Sequence, residues 1–120
     1  MPAFEWQKKR ETPEAELQRK IVKALRDRGW YTIETHGNAF QKGLTDIVAM
    51  KAGVGVRFIE VKNPDRYGFT PAQLEKFPQI CAHGSGVWIL VDDTPEELKK
   101  LYGPPNWHHY LKGLHRHYKG

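Results

Sequence analysis

A single cysteine, Cys81, stands among the 120 residues, so no disulfide can close within the chain and no four-cysteine zinc site can form. No run approaches the roughly 18 apolar residues of a membrane span. The stretch 1–10 holds no apolar segment of the kind a secretory signal needs. These absences fit a cytoplasmic protein with no membrane partner. There is no internal repeat and no low-complexity segment, which excludes solenoids and flexible linkers. Acidic residues are missing altogether from 104–120.

What is present suits one small domain. The hydrophobic share of 39% is enough for a single core and argues against disorder. The formal net charge of +5 points mildly to a polyanionic partner such as nucleic acid. Residues 1–12 read as a polar arm carrying Lys8, Lys9 and Arg10.

Helix and strand signals alternate through the rest. Thr12-Pro13-Glu14 caps and opens a helix, Leu17, Ile21, Ala24 and Leu25 recur at helical spacing, and Gly29 stops it. Strands are predicted over 30–35, 45–50 and 56–62, the last two forming a hairpin through Lys51-Ala52-Gly53. Thr70-Pro71-Ala72-Gln73 is a capping-box start for a helix running to about His83, with Cys81 on its apolar side as a buried structural thiol. Residues 87–91 are wholly apolar, as in a strand buried on both faces, and Thr94-Pro95 opens a third helix ending near Tyr102-Gly103. The order α-β-β-β-α-β-α predicts an α/β fold, a central mixed sheet flanked by helices. The last strand pairs in parallel with the hairpin through its helical crossover. The domain spans 13–103 and is followed by a basic, aromatic and histidine-rich tail over 104–120.

Chemistry concentrates in Gly43-Leu44-Thr45-Asp46-Ile47-Val48 and Phe58-Ile59-Glu60-Val61-Lys62. Residues two apart in a strand share a face, so Glu60 and Lys62 point together, and Asp46 begins the neighbouring hairpin strand. Two carboxylates at a strand edge make a hard-oxygen site suited to Mg²⁺, with Mn²⁺ as substitute. The Val61 carbonyl is a third candidate ligand, and Lys62 stands where a cation would stabilise a phosphoryl transition state. Spacing alone leaves open a solvated Glu60–Lys62 pair with Asp46 merely starting a strand.

The pattern resembles the PD-(D/E)XK nuclease superfamily and, within it, the VRR-NUC family of small, often phage-encoded nucleases, similar to archaeal Holliday-junction resolvases. The resemblance runs from about Pro13 to Val91. It rests on Glu14 and Gln18, on Gly43, Asp46 and Ile47, on Ile59 to Lys62, and on Thr70, Pro71 and Gln73. It implies a restriction-endonuclease-like fold and a metal-dependent DNA endonuclease, acting on branched DNA as a homodimer. Asp46 and Glu60 would be metal ligands, Lys62 the catalytic lysine, Gln73 a downstream active-site glutamine and Glu14 the first-helix acid, with Gln18 one turn on. Glu16 competes with Glu14 for that role, and Gln73 is equally explained as the capping partner of Thr70. Where the family has a proline before the aspartate, this chain has Thr45.

Other candidates are secondary. Arg66, in the loop after Lys62, and Lys112, Arg116 and Lys119 in the tail are placed to touch phosphate. His36 precedes the glycine-bearing loop that leads to Asp46. The six histidines lack zinc-site spacing. Arg19, Lys20, Lys23, Arg26 and Arg28 read as a solvated helix face. The competing function is a nucleic-acid-binding module without turnover.

Overall fold

A computed structural model describes residues 12–35 and 43–111. Helix α1 spans Pro13–Asp27. Strand β1 spans Tyr31–Glu34, β2 Ile47–Lys51 and β3 Gly55–Val61. Helix α2 spans Pro71–Ala82, strand β4 Val87–Leu90, and a short helix α3 Pro95–Leu98. The four strands form one sheet in the order β1-β2-β3-β4, antiparallel for the first three and parallel between β3 and β4. This is the mixed α/β sheet expected from the sequence, with the crossover supplied by α2. Among the described residues no helix is long and apolar enough to cross a membrane.

Strand alternation divides the core in two. Ile47, Ala49, Ile59, Val61, Trp88 and Leu90 pack in one cluster with Ile21, Val22 and Leu25 of α1. These three α1 residues recur at helical spacing, so burial of one face follows from the sequence. Val87 and Ile89 belong to a second cluster with Phe69, Phe77 and Trp107. The three aromatic rings meet edge to face with centroids 5.6 to 6.2 Å apart, the geometry their quadrupoles favour. Cys81 is half-buried against this cluster.

Three details depart from the sequence-based expectation. The third helix is broken: α3 has one turn and gives way to a 3₁₀ turn over Lys99–Tyr102. With Gly103, Pro104 and Pro105 following, the segment is too short to sustain α-helical hydrogen bonding and tightens at its end. The folded region also continues past 103. Trp107 is buried, and Asn106 accepts a hydrogen bond from the Ile89 N–H at 2.7 Å and donates to its carbonyl at 3.2 Å. Finally, β2 starts at Ile47, leaving Asp46 just outside the ladder.

The loop into Asp46 is tied to α2. Gly43 has φ +85°, and a Cβ there would stand 2.6 Å from the Ala72 carbonyl oxygen. Only glycine takes this backbone angle without strain and allows the approach. Gly43→Ala is expected to lower stability by about 2 kcal/mol or more, measured by urea denaturation. A variant that unfolds at the wild-type midpoint would contradict the close packing.

Candidate active site

The register of the hairpin builds the site. Ile47 faces Ile59, and one step further along the same antiparallel register Asp46 faces Glu60. Both backbones reinforce the pairing. The Asp46 N–H donates to Glu60 Oε1 at 3.2 Å, and the Val61 N–H donates to Asp46 Oδ2 at 2.9 Å. Each carboxylate is thus held by the main chain of the other strand. On the far side of Asp46, the Thr35 N–H donates to its carbonyl at 3.0 Å, so β1 braces the bend. The buried Thr45, where the resembled family has proline, accepts on its carbonyl from Thr35 Oγ1 at 2.8 Å.

Glu60 and Lys62 share the face opposite to Ile59 and Val61 and are buried, with 3% and 6% of their surface exposed. Lys62 Nζ lies 3.0 Å from Glu60 Oε2 and 4.7 Å from the centre of the Phe69 ring. Gln73, in the first turn of α2, donates from Nε2 to Glu60 Oε2 at 2.8 Å. Its Oε1 accepts from the Thr70 N–H at 3.1 Å and faces Lys62 Nζ at 3.4 Å. Thr70 Oγ1 in turn accepts from the Gln73 N–H, completing a capping box. Gln73 therefore both caps its helix and bonds the Glu60 carboxylate.

Electrostatics oppose this arrangement in the absence of a cation. Burial, and then the facing Asp46 carboxylate, raise Glu60 from its ordinary 4.5 to about 7, against the lowering influence of Lys62 and Gln73. Asp46 is also raised, chiefly by burial, with Glu14 adding repulsion while the Val61 N–H, Lys62 and Glu60 oppose. Two acids and one ammonium leave an excess of negative charge in a low-dielectric place, and a divalent ion would relieve it.

The donor chemistry fits such an ion. Asp46 and Glu60 supply carboxylate oxygens. The Val61 carbonyl leaves its strand on the same side as the N–H that Asp46 accepts, because both groups of one residue point to the same neighbour. Among the described residues no group of three or more His, Cys, Asp or Glu converges. Two carboxylates suit Mg²⁺ or Mn²⁺, ions that keep several of their waters, better than an ion that needs four protein ligands.

The remaining candidates divide. Glu14 is exposed but near enough to act on Asp46, whereas Glu16 pairs with Lys20 at 3.6 Å. Gln18 donates to Glu34 Oε1 at 3.0 Å and makes no hydrogen bond to the carboxylate pair. Arg66 is exposed in the loop between β3 and α2. His36, Lys112, Arg116 and Lys119 lie outside the described residues. Phe69, under the Lys62 ammonium, escaped sequence reasoning. Its signal was present: it precedes the capping Thr70, and Leu74 stands where a hydrophobic staple would meet it.

Because Glu60 binds its proton more tightly folded than unfolded, its contribution to the stability of the metal-free protein is greatest at low pH. That contribution is lost as pH rises from about 4.5 through about 7, by a total on the order of a few kcal/mol. Glu60→Gln should flatten this slope in thermal melts across that window. A metal-free protein that gained stability over the same window would contradict the repulsion between the two acids.

Neither a family model nor a curated protein matches the chain. A solved structure described as a VRR_NUC domain does, with 21% identity and a TM-score of 0.58, over 76% of this chain and 95% of that one. The chain has the fold of a VRR_NUC domain.

Proposed function

We propose that the protein is a divalent-metal-dependent nuclease that hydrolyses DNA phosphodiester bonds. The observation that carries this is the opposed Asp46 and Glu60 carboxylates with the Lys62 ammonium on the same face. The likeness in fold to a VRR_NUC domain supports the same reading.

In this reading Asp46, Glu60 and the Val61 carbonyl hold Mg²⁺ or Mn²⁺. When bound, the ion supplies Lewis acidity towards a phosphate oxygen and acidifies water. Lys62 orients the attacking water and offsets the charge that grows on the phosphorane-like transition state. Gln73 fixes the rotamer of Glu60. Glu14, at the mouth, adds a negative charge that favours retention of the cation, and Arg66 offers a phosphate contact from the adjoining loop. Branched DNA as substrate, a twofold dimer to cut its two strands, phosphate contacts from Lys112, Arg116 and Lys119, and action in the cytoplasm complete the proposal.

One observation favours a second reading, a DNA-binding module without turnover. Both Glu60 oxygens already accept hydrogen bonds and Lys62 already supplies a counter-charge, so the cluster is partly satisfied without an ion. Such a module would bind DNA in a salt-sensitive way and show no Mg²⁺-dependent cleavage.

Cleavage of a four-way junction, a flap and a plain duplex with and without Mg²⁺ separates the two. Asp46→Asn, Glu60→Gln and Lys62→Ala should each lower the cleavage rate by about 100-fold or more with folding retained by circular dichroism. Mg²⁺ should raise the melting temperature of wild type more at pH 8 than at pH 5.5, and that of Asp46→Asn hardly at all. Equal cleavage by all three variants would remove the assignment.

A further inference from the structure

A second charged site lies away from the carboxylates. A pocket of about 250 Å³ opens where the C-terminal end of α1, the end of β2 and the start of the 3₁₀ turn meet. Three of its lining residues are cations, Arg28, Lys51 and Lys99, each from a different element, and among the described residues no carboxylate lines it. The cations are not spent on ion pairs there. Arg28 donates to the Ala24 carbonyl at 3.0 Å and Lys51 to the Tyr102 hydroxyl at 3.0 Å. The Lys51 ammonium also lies 5.9 Å from the Trp30 ring centre and 5.6 Å from that of Tyr102. The Tyr102 hydroxyl and the Trp30 ring hold the ammonium in place without neutralising it, so its charge stays available to a ligand. Three like charges lining one pocket favour an anion there. Tyr102, with 54% of its surface exposed, presents an aromatic ring at the rim.

We propose that this pocket binds a nucleotide, with its phosphate among Arg28, Lys51 and Lys99 and its base stacked on Tyr102. Base stacking on an exposed aromatic beside a basic groove is how sequence-tolerant contacts to unpaired nucleotides are made. Lys51 and Asp46 are five residues apart on one extended segment, about 17 Å, so the pocket is a separate site and does not depend on the nuclease reading. The same chemistry serves a free nucleotide or an unpaired nucleotide within a DNA strand.

Amide NMR titrations of the full chain test this with inorganic phosphate, thymidine 5′-monophosphate and a short oligothymidylate. Shifts should cluster at Gly29, Trp30, Lys51 and residues 98–102. Lys99→Glu should weaken all three ligands by about tenfold or more, the loss of one charge-assisted contact. Tyr102→Ala should weaken the two thymidine ligands and spare phosphate. Tighter binding of the oligonucleotide than of the monophosphate would assign the site to DNA strands, and binding of the monophosphate alone to free nucleotides. Shifts absent from these residues, or affinities unchanged in Lys99→Glu, would overturn the proposal. Asp46→Asn should titrate like wild type, and Lys99→Glu should retain Mg²⁺-dependent cleavage of a short duplex, so the two sites stand or fall separately.

Discussion

Two carboxylates face each other across the end of a hairpin, and the main chain of each strand donates to the acid of the other. Like charges at this distance repel, and burial strengthens the repulsion. The hairpin holds them together because its register is pinned elsewhere: Ile47 and Ile59 must both reach the α1-side core, and a slip of one residue would turn them out to the opposite face. The core on the α1 side of the sheet therefore fixes the geometry of the acids on the other face.

The second helix locks the arrangement from above. Gln73 joins its own capping box to the Glu60 carboxylate, so the position at which α2 begins and the orientation of Glu60 are set by one side chain. Gly43 adds a second tie, since the loop that delivers Asp46 lies against the backbone of the same helical turn. Lys62 is confined between Glu60 and the Phe69 ring. Cation, acid and amide are thus held in place by a single loop-to-helix junction.

Much of this was legible in the sequence because the signals were local. Period-two alternation around Glu60 and Lys62, the turn after Lys51 and the Thr-Pro helix starts each report on a few neighbouring residues. The β2–β3 hairpin and the parallel pairing of β4 with it follow from them. Other features depend on distant parts of the chain and left no local trace. The partner of Gln18 is Glu34, a choice made by how α1 lies over β1. Lys51, Arg28 and Lys99 are scattered in sequence and meet only because three elements end at one corner. The third helix misled for a related reason: its cap was correct, but a cap announces where a helix begins and says little about how many turns follow.

The side-chain amide of Asn106 has a consequence beyond anchoring the chain after 103. Strand β4, Val-Trp-Ile-Leu, is uncharged, β-prone and at the margin of the sheet, the profile of a segment that recruits other chains into fibrils. By occupying both the N–H and the carbonyl of Ile89, Asn106 stands in for a missing neighbour and leaves no docking register at the middle of that strand. One carboxamide thus closes the middle of an edge strand, a duty usually given to charge or proline.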